Sequence, residues 1–161
     1  PYDSGGFFWT KVDSKNLRGR AQAKIDDKGR LKIPNVFRAV IQQEHGPEVF
    51  VTSLTGDSVR VYPMPVWLEV ERKLALAPST HPARLKFLDR VNYFGQVAEI
   101  DTQGRLLIQP HLRDSALMSG EVDVLGKYDY LEVWNHDRFH AKILREPFTD
   151  DDARALADFG V

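Results

Sequence analysis

A ten-residue segment that returns later in the chain is the feature that most constrains the fold. Residues 25–34 read IDDKGRLKIP, and residues 100–108 read IDTQGRLLI. At a shift of 75 positions the two segments share an Ile, an Asp, a Gly, an Arg, a Leu and a second Ile in the same order. A match at one fixed spacing indicates two copies of a single supersecondary unit. The chain is therefore predicted to contain a duplicated motif.

Each copy has the pattern of two short strands joined by a turn. In the first copy the apolar residues Ile25, Leu31 and Ile33 alternate with charged residues, which is typical of half-buried strands. An Asp at the start of a turn can accept hydrogen bonds from nearby backbone N–H groups, and a Gly adopts positive φ without steric cost. We expect four residues to order the turns: Asp26, Gly29, Asp101 and Gly104.

The Asp and Arg repeated in both turns require an explanation beyond packing. A single hairpin of this kind would most simply be a solvated surface turn, because such turns are common. Burial in a core accounts for the repeated Leu and Ile, but it does not account for a repeated exposed Asp and Arg four residues apart. Duplication therefore favours a functional role for Arg30 and Arg105, with Arg30 on the polar face of its hairpin.

Composition limits the classes of protein to which the chain can belong. Its 161 residues, 42% of them hydrophobic, suit one compact domain or two small ones. There is no cysteine, which excludes disulfides, thiolate zinc sites and cysteine nucleophiles and fits a reducing compartment. No apolar run is long enough to span a bilayer, and the N-terminus lacks the pattern of a secretory signal. No membrane partner is expected.

The hydrophobic periodicity predicts the same order of elements in both copies, namely two strands, a helix, two strands and a helix. This order predicts an α+β protein, rich in strands, with tandem repeats and short helices. Each repeat alone is small enough for core burial to be marginal, which favours assembly of several chains. The expected organisation is a mobile extension over residues 1–16, a first repeat over 17–77, a connecting helix over 78–95, a second repeat over 96–145 and an acidic tail over 146–161.

Charge is unevenly distributed, although the net charge is only −1. Residues 11–38 contain nine Lys or Arg against three Asp, whereas the matching window 86–113 contains four basic residues against three acidic ones. The tail carries five acidic residues and only Arg154 as a base. Its three consecutive Asp residues follow Thr149 and are expected to cap a helix rather than bind a metal. The basic first copy indicates a polyanionic partner.

The two turn segments, the sequence YPMPVW at residues 62–67 and the sequence ARLKFLDRVNYFG at 83–95 together resemble the MraZ family of bacterial transcriptional regulators. The resemblance covers residues 17–144 and implies two SpoVT-AbrB-type repeats with a swapped-hairpin β fold. It also implies a ring of subunits in the cytoplasm, associated with the nucleoid, that binds repeated DNA elements upstream of the division and cell-wall gene cluster. Two departures are Gln103, where the family often has Lys, and Pro110, which is displaced by one position. Residues 1–16 fall outside the resemblance.

Five basic residues are the candidate contacts to double-stranded DNA: Arg18, Lys24, Lys28, Arg30 and Arg105. Lysines and arginines can bind phosphates, which position a protein without specifying sequence. Arg30 is the best candidate for a guanine edge, because its planar fork can bond O6 and N7 together. Asp26 is expected to orient Arg30.

The second copy is expected to attract phosphate less strongly than the first. It has Glu99, Gln103 and Leu107 where the first copy has the three residues Lys24, Lys28 and Lys32. Its Arg105 is therefore expected either to contact DNA weakly or to serve a contact between subunits.

Two alternatives to a DNA-binding regulator remain open. The best enzyme-like constellation is His136 with His140, one helical turn apart, but no third metal ligand lies near them in the sequence. An exposed helix face explains these histidines better, so no enzyme activity, cofactor or metal is expected. The second alternative is an antitoxin-like interaction module whose acidic tail captures a protein partner.

Overall fold

The computed structural model describes residues 16–161, so the expected N-terminal extension lies, except for Asn16, outside the described residues. The first repeat contains β1 (Leu17–Ile25), β2 (Arg30–Lys32), α1 (Asn35–Glu44), β3 (Glu48–Thr52), β4 (Val59–Pro63) and α2 (Met64–Leu74). The connecting helix is α3 (Pro82–Tyr93). The second repeat contains β5 (Gln96–Glu99), β6 (Arg105–Leu107), α4 (Pro110–Ala116), β7 (Gly120–Tyr128), β8 (Leu131–Asn135) and α5 (His136–Arg145), and the tail contains α6 (Asp150–Ala157).

The two repeats exchange strands within one antiparallel sheet. Among the described residues the sheet has eight strands in the order β5-β3-β4-β8-β7-β1-β2-β6. The first strand of each repeat pairs with the third strand of the other, as β1 with β7 and β5 with β3. Strands β5 and β6 stand at opposite ends of this order, and the backbone bond from Asp101 N, two residues after β5, to Arg105 O of β6 (3.0 Å) brings these ends together. The predicted α+β class with exchanged hairpins and short helices is confirmed.

The core lies inside this closed sheet and is shared by both repeats. The apolar residues of the two turn segments, Leu31 and Ile33 in one and Leu106 and Ile108 in the other, are fully buried in a single cluster. Burying one such side chain contributes about 1.5–3 kcal/mol. The repeats therefore cover each other's apolar faces within one chain. The small size of each repeat, which the sequence offered as a reason for assembly, is thus compensated within the chain.

Proline fixes where several helices begin. Helices α3 and α4 have Pro82 and Pro110 in their first turn, where the missing N–H group costs nothing.

Strand β7 is longer than the run from Val122 to Leu125 that periodicity predicts, because all nine of its residues pair with β1. A local pattern does not reveal this long-range pairing.

A second, smaller cluster attaches the connecting helix to the sheet. Trp67 of α2 stacks on Phe50 of β3 with ring centroids 4.5 Å apart, and Phe87 of α3 lies on the same indole at 6.3 Å. Val91 of α3 is buried in this cluster. Within residues 16–161 no helix combines the length and the apolar character needed to cross a bilayer.

Candidate nucleic-acid interface

The first turn is held by the carboxylate of Asp26. Its Oδ1 accepts hydrogen bonds from the backbone N–H groups of Lys28 (2.9 Å) and Arg30 (2.8 Å), and its Oδ2 accepts one from Arg30 Nε (2.8 Å). The backbone N–H of Gly29 donates to the carbonyl of Asp26 at 3.0 Å, with Gly29 at a φ of +83°. One side chain therefore fixes both the path of the turn and the direction of the arginine that follows it.

The second turn repeats this geometry. Asp101 Oδ1 accepts from the backbone N–H groups of Gln103 and Arg105, both at 2.9 Å, and Oδ2 accepts from Arg105 Nε at 3.0 Å. Gly104 has a φ of +79°. The exchange of Lys28 for Gln103 leaves the turn unchanged, because that position contributes only its backbone N–H to the carboxylate.

These hydrogen bonds also affect ionisation. The backbone N–H of Arg30 lowers the pKa of Asp26 below the ordinary value, against the opposing effect of desolvation, and the Arg30 side chain lowers it further. In the second turn the backbone N–H of Arg105 lowers the pKa of Asp101 in the same way. The ionised carboxylates are the forms that hold the turns, so both turns are formed at neutral pH.

Arg30 and Arg105 keep the outer part of their guanidinium groups available. In both residues the bond to the aspartate uses Nε, and both side chains are partly exposed, Arg30 to 29% and Arg105 to 31%. The terminal amino groups are the ones that form a two-pronged contact with a guanine edge or a phosphate. The geometry is therefore that of an oriented arginine and not of a closed ion pair.

The two turns are linked through the strands that follow them. Strands β2 and β6 pair directly, with Leu31 opposite Leu106. Beyond the ladder, Ile33 N donates to the carbonyl of Gly104 (2.8 Å) and Ile108 N donates to the carbonyl of Gly29 (3.0 Å). Each glycine thus bonds to the strand end of the other repeat, and the antiparallel pairing places the two turns at opposite ends of this short ladder.

Two arginines that were not among the predicted site residues cross between the repeats. Arg113 of α4 lies against Gly29, so close that a Cβ at that position would collide with its guanidinium. Arg38 of α1 lies against Gly104, with Nη1 2.9 Å from the position of an added Cβ, and its Nη2 donates to the carbonyl of Thr102 at 2.7 Å. Arg38 and Arg113 occupy equivalent positions in the two copies, and a repeated polar residue on a helix was the signal that could have identified them.

The other predicted contact residues occupy different places. Lys28 is exposed in the first turn, and Lys24 is exposed near the end of β1, opposite Glu121. Arg18 is opposite Lys127 at the start of the same strand. Lys24 lies six positions further along the extended strand, a distance of about 20 Å. The structure therefore groups Lys24, Lys28, Arg30 and Arg105 near the turns and leaves Arg18 apart from them.

His136 has a structural partner. Its Nδ1 lies 2.9 Å from Oδ2 of the buried Asp123, whose Oδ1 accepts a hydrogen bond from Arg20 at 2.7 Å. This triad joins β1 of the first repeat to β7 and α5 of the second. No cluster of three or more metal-ligating side chains occurs in the portion of the chain from residue 16 onward.

Comparison with known proteins gives one consistent family. The family model described as "MraZ protein, putative antitoxin-like" matches residues 17–90 and 96–159. The transcriptional regulator MraZ of Acidobacterium capsulatum is 46% identical over 145 residues, which cover 90% of this chain and 99% of that protein. The protein of the same name from Koribacter versatilis is 44% identical over 146 residues, covering 90% and 99%. The one from Escherichia coli is 30% identical over 142 residues, covering 88% and 91%.

Proposed function

Because this chain belongs to the MraZ family of transcriptional regulators, we propose that it is a regulator that binds double-stranded DNA through its paired turns. The family resemblance inferred from the turn motifs is thereby confirmed, and it assigns the chain to regulators rather than enzymes. The proposed targets are repeated elements upstream of the division and cell-wall gene cluster. The proposed location is the cytoplasm, in association with the nucleoid.

The oriented arginine of each turn is the observation that carries this proposal. Asp26 holds Arg30 by Nε, which leaves the two terminal amino groups free of that carboxylate. Such a fork can bond O6 and N7 of one guanine, a contact worth about 1–3 kcal/mol of discrimination against a wrong base. Lys24 and Lys28 stand beside it and supply contacts to phosphates, which carry affinity without sequence information.

Assembly into a ring is the second part of the proposal. A chain with a net charge of −1 gains from presenting several basic turns at once, because linked weak contacts act through effective concentration. The apolar faces of the turn segments are covered inside the chain, so the subunit contacts must use other surfaces. Exposed apolar side chains outside the core are candidates for these contacts: Val36, Tyr93, Val97, Leu107, Leu117 and Tyr128.

The test is a footprint on the DNA upstream of the protein's own gene, together with the mass of the protein in solution. We expect protection at repeated elements and a mass several times 18.4 kDa. Arg30→Ala should lose the footprint while keeping the mass and the melting temperature. A protein that remains monomeric at micromolar concentration would contradict the ring, and an unchanged footprint with Arg30→Ala would contradict the role of the turn.

A second candidate function is capture of a protein partner by the acidic tail. All residues from Glu146 to Val161 are exposed, and the tail carries Phe148, Phe159 and Val161 at 69%, 81% and 84% exposure. Helix α6 is nevertheless well formed, because Thr149 and Asp152 make a reciprocal capping box. Deleting residues 146–161 should leave DNA binding intact if the tail serves only a partner. Loss of the footprint on deletion would contradict that separation.

A further inference from the structure

We propose that the first repeat supplies the second turn with the phosphate-binding cations that the second copy lacks, through Lys32 and Arg38. This inference rests on the proposed function, since it takes DNA as the ligand. It reverses the expectation from the sequence, in which the second copy lacks the lysines of the first. The reversal follows from the exchange of strands between the repeats.

The strand exchange brings Lys32 to the second turn. Lys32 ends β2 and stands directly opposite Arg105 in the β2–β6 ladder. Its Nζ donates to the backbone carbonyl of Gln103. A cation counted with the first copy along the sequence therefore lies on the second turn in space.

Arg38 reaches the second turn from α1. Its Nη2 donates to the carbonyl of Thr102, while its Nε is buried and has no hydrogen-bond partner among residues 16–161. Arg38 has no carboxylate partner among the ion pairs of this part of the chain. Within residues 16–161 no carboxylate therefore neutralises its charge at the turn.

Local charge at the two turns is consequently similar. The second turn gathers Lys32, Arg38 and Arg105 against the single carboxylate of Asp101, a net charge of +2. The first turn gathers four cations against two carboxylates, a net charge of +2, from Lys24, Lys28, Arg30, Arg113, Asp26 and Asp27. The net charges of the two sequence windows, +6 for residues 11–38 and +1 for residues 86–113, therefore do not describe the charge at the two turns.

A bound phosphate would also relieve an unfavourable contact. Lys32 and Arg105 are like charges directly opposite each other across two strands, an arrangement that destabilises a sheet. An anion placed between them turns this repulsion into two attractive contacts, and Arg38 adds a third positive charge at the same turn. The proposed ligand is a phosphate oxygen and not a base edge, because lysine and arginine both donate to phosphate without requiring a particular base.

Two variants test the proposal in opposite directions. Lys32→Gln removes a cation, and Gln103→Lys adds one at an exposed position that contributes only backbone atoms to the turn. The measurement is the slope of log affinity against log salt for DNA that contains several repeats, and each phosphate contact contributes about 0.9 to that slope. We expect Lys32→Gln to flatten the slope by about one for each engaged subunit, and Gln103→Lys to steepen it.

Further variants separate charge from structure. Arg38→Gln should flatten the slope, and Arg38→Lys should restore most of it because the charge is kept. Lys86→Gln, which removes an exposed cation of the connecting helix α3, is the matched control and should leave the slope unchanged. Melting temperature and mass in solution are recorded for each variant, so that a folding defect is recognised.

The failure of this inference can be told apart from failure of the proposed function. If the salt slope is unchanged in both Lys32→Gln and Gln103→Lys while Arg30→Gln loses the DNA, the first turn reads DNA and the second does not. If Arg30→Gln also binds normally, the proposed function fails as well. An Arg38→Lys variant as defective as Arg38→Gln would assign Arg38 to the structure of the turn, which overturns its role as a phosphate contact.

Discussion

Replacing Gly29 with alanine tests how tightly the two repeats are interlocked at the first turn. Gly29 has a φ of +83°, and an alanine in this left-handed region costs about 1–2 kcal/mol relative to glycine. The new Cβ would also collide with the guanidinium of Arg113, which belongs to the other repeat. The arginine is a flexible side chain and can move aside, so the collision displaces it and does not unfold the turn.

A matched variant, Gly46→Ala, separates the backbone cost of alanine from the displacement of Arg113. Gly46 has a similar φ of +86°, but nothing lies within 4 Å of an added Cβ. Gly46→Ala should therefore lower the free energy of unfolding by about 1–2 kcal/mol, or the melting temperature by roughly 2–8 °C for a chain of this size, and Gly29→Ala should lower both further because it also displaces Arg113. Only Gly29→Ala should also weaken DNA binding, because only there is Arg113 expelled from the turn.

The assay pairs chemical denaturation with titration of repeated DNA, and a double variant completes it. Arg113→Ala combined with Gly29→Ala removes the collision, so the two changes should be less than additive in stability. Equal DNA affinity of Gly29→Ala and Gly46→Ala would refute the claim that Arg113 matters at the first turn. Strict additivity of the double variant would refute the contact itself.

Three further predictions follow from the charged groups. Because hydrogen bonds lower the pKa of Asp26 and Asp101, the turns should be stable at neutral pH and should lose stability as the pH falls through these lowered pKa values. In thermal melts across acid pH, the double variant Asp26→Asn, Asp101→Asn should lose less stability on acidification than the unmodified chain. Arg20→Ala should lower the free energy of unfolding by about 1.5–3 kcal/mol in urea, because it removes a charged hydrogen bond from the buried Asp123, whereas Gln22→Ala on the same strand should change it little. Affinity for DNA with several repeats should fall steeply with salt and exceed that for a single repeat, and equal affinity for both, measured by titration, would exclude avidity.

Local chemistry was sufficient to predict the turns and most helices. The Asp, Gly and Arg of each turn act over a few residues, so Asp26 bonds Arg30 and Asp101 bonds Arg105 in the way that the pattern favours. The helix that follows the first turn begins after Pro34, where the fixed φ of proline favours a helix start.

The pairing between repeats could not be predicted from local patterns. Strand β1 pairs with β7, about a hundred residues away, and no periodicity within either strand encodes that choice. For the same reason the sequence alone assigns Lys32 to the first turn and does not identify Arg38 and Arg113 as neighbours of the turns. The sequence shows that Arg38 and Arg113 occupy equivalent positions in the two copies, but only the fold shows that each lies against the turn of the other copy.

The central claim is that an aspartate-oriented arginine reads DNA, and the variant Arg30→Lys tests it most directly. Lysine keeps the positive charge but has no planar fork, so it can bind a phosphate and cannot form the two-pronged contact with guanine. The measurement is the ratio of affinity for DNA with the repeated elements to affinity for unrelated DNA of equal length, at one salt concentration. The account predicts that this ratio falls by at least tenfold, with affinity for unrelated DNA nearly unchanged. An unaltered ratio would show that Arg30 contributes only charge, which would contradict the account.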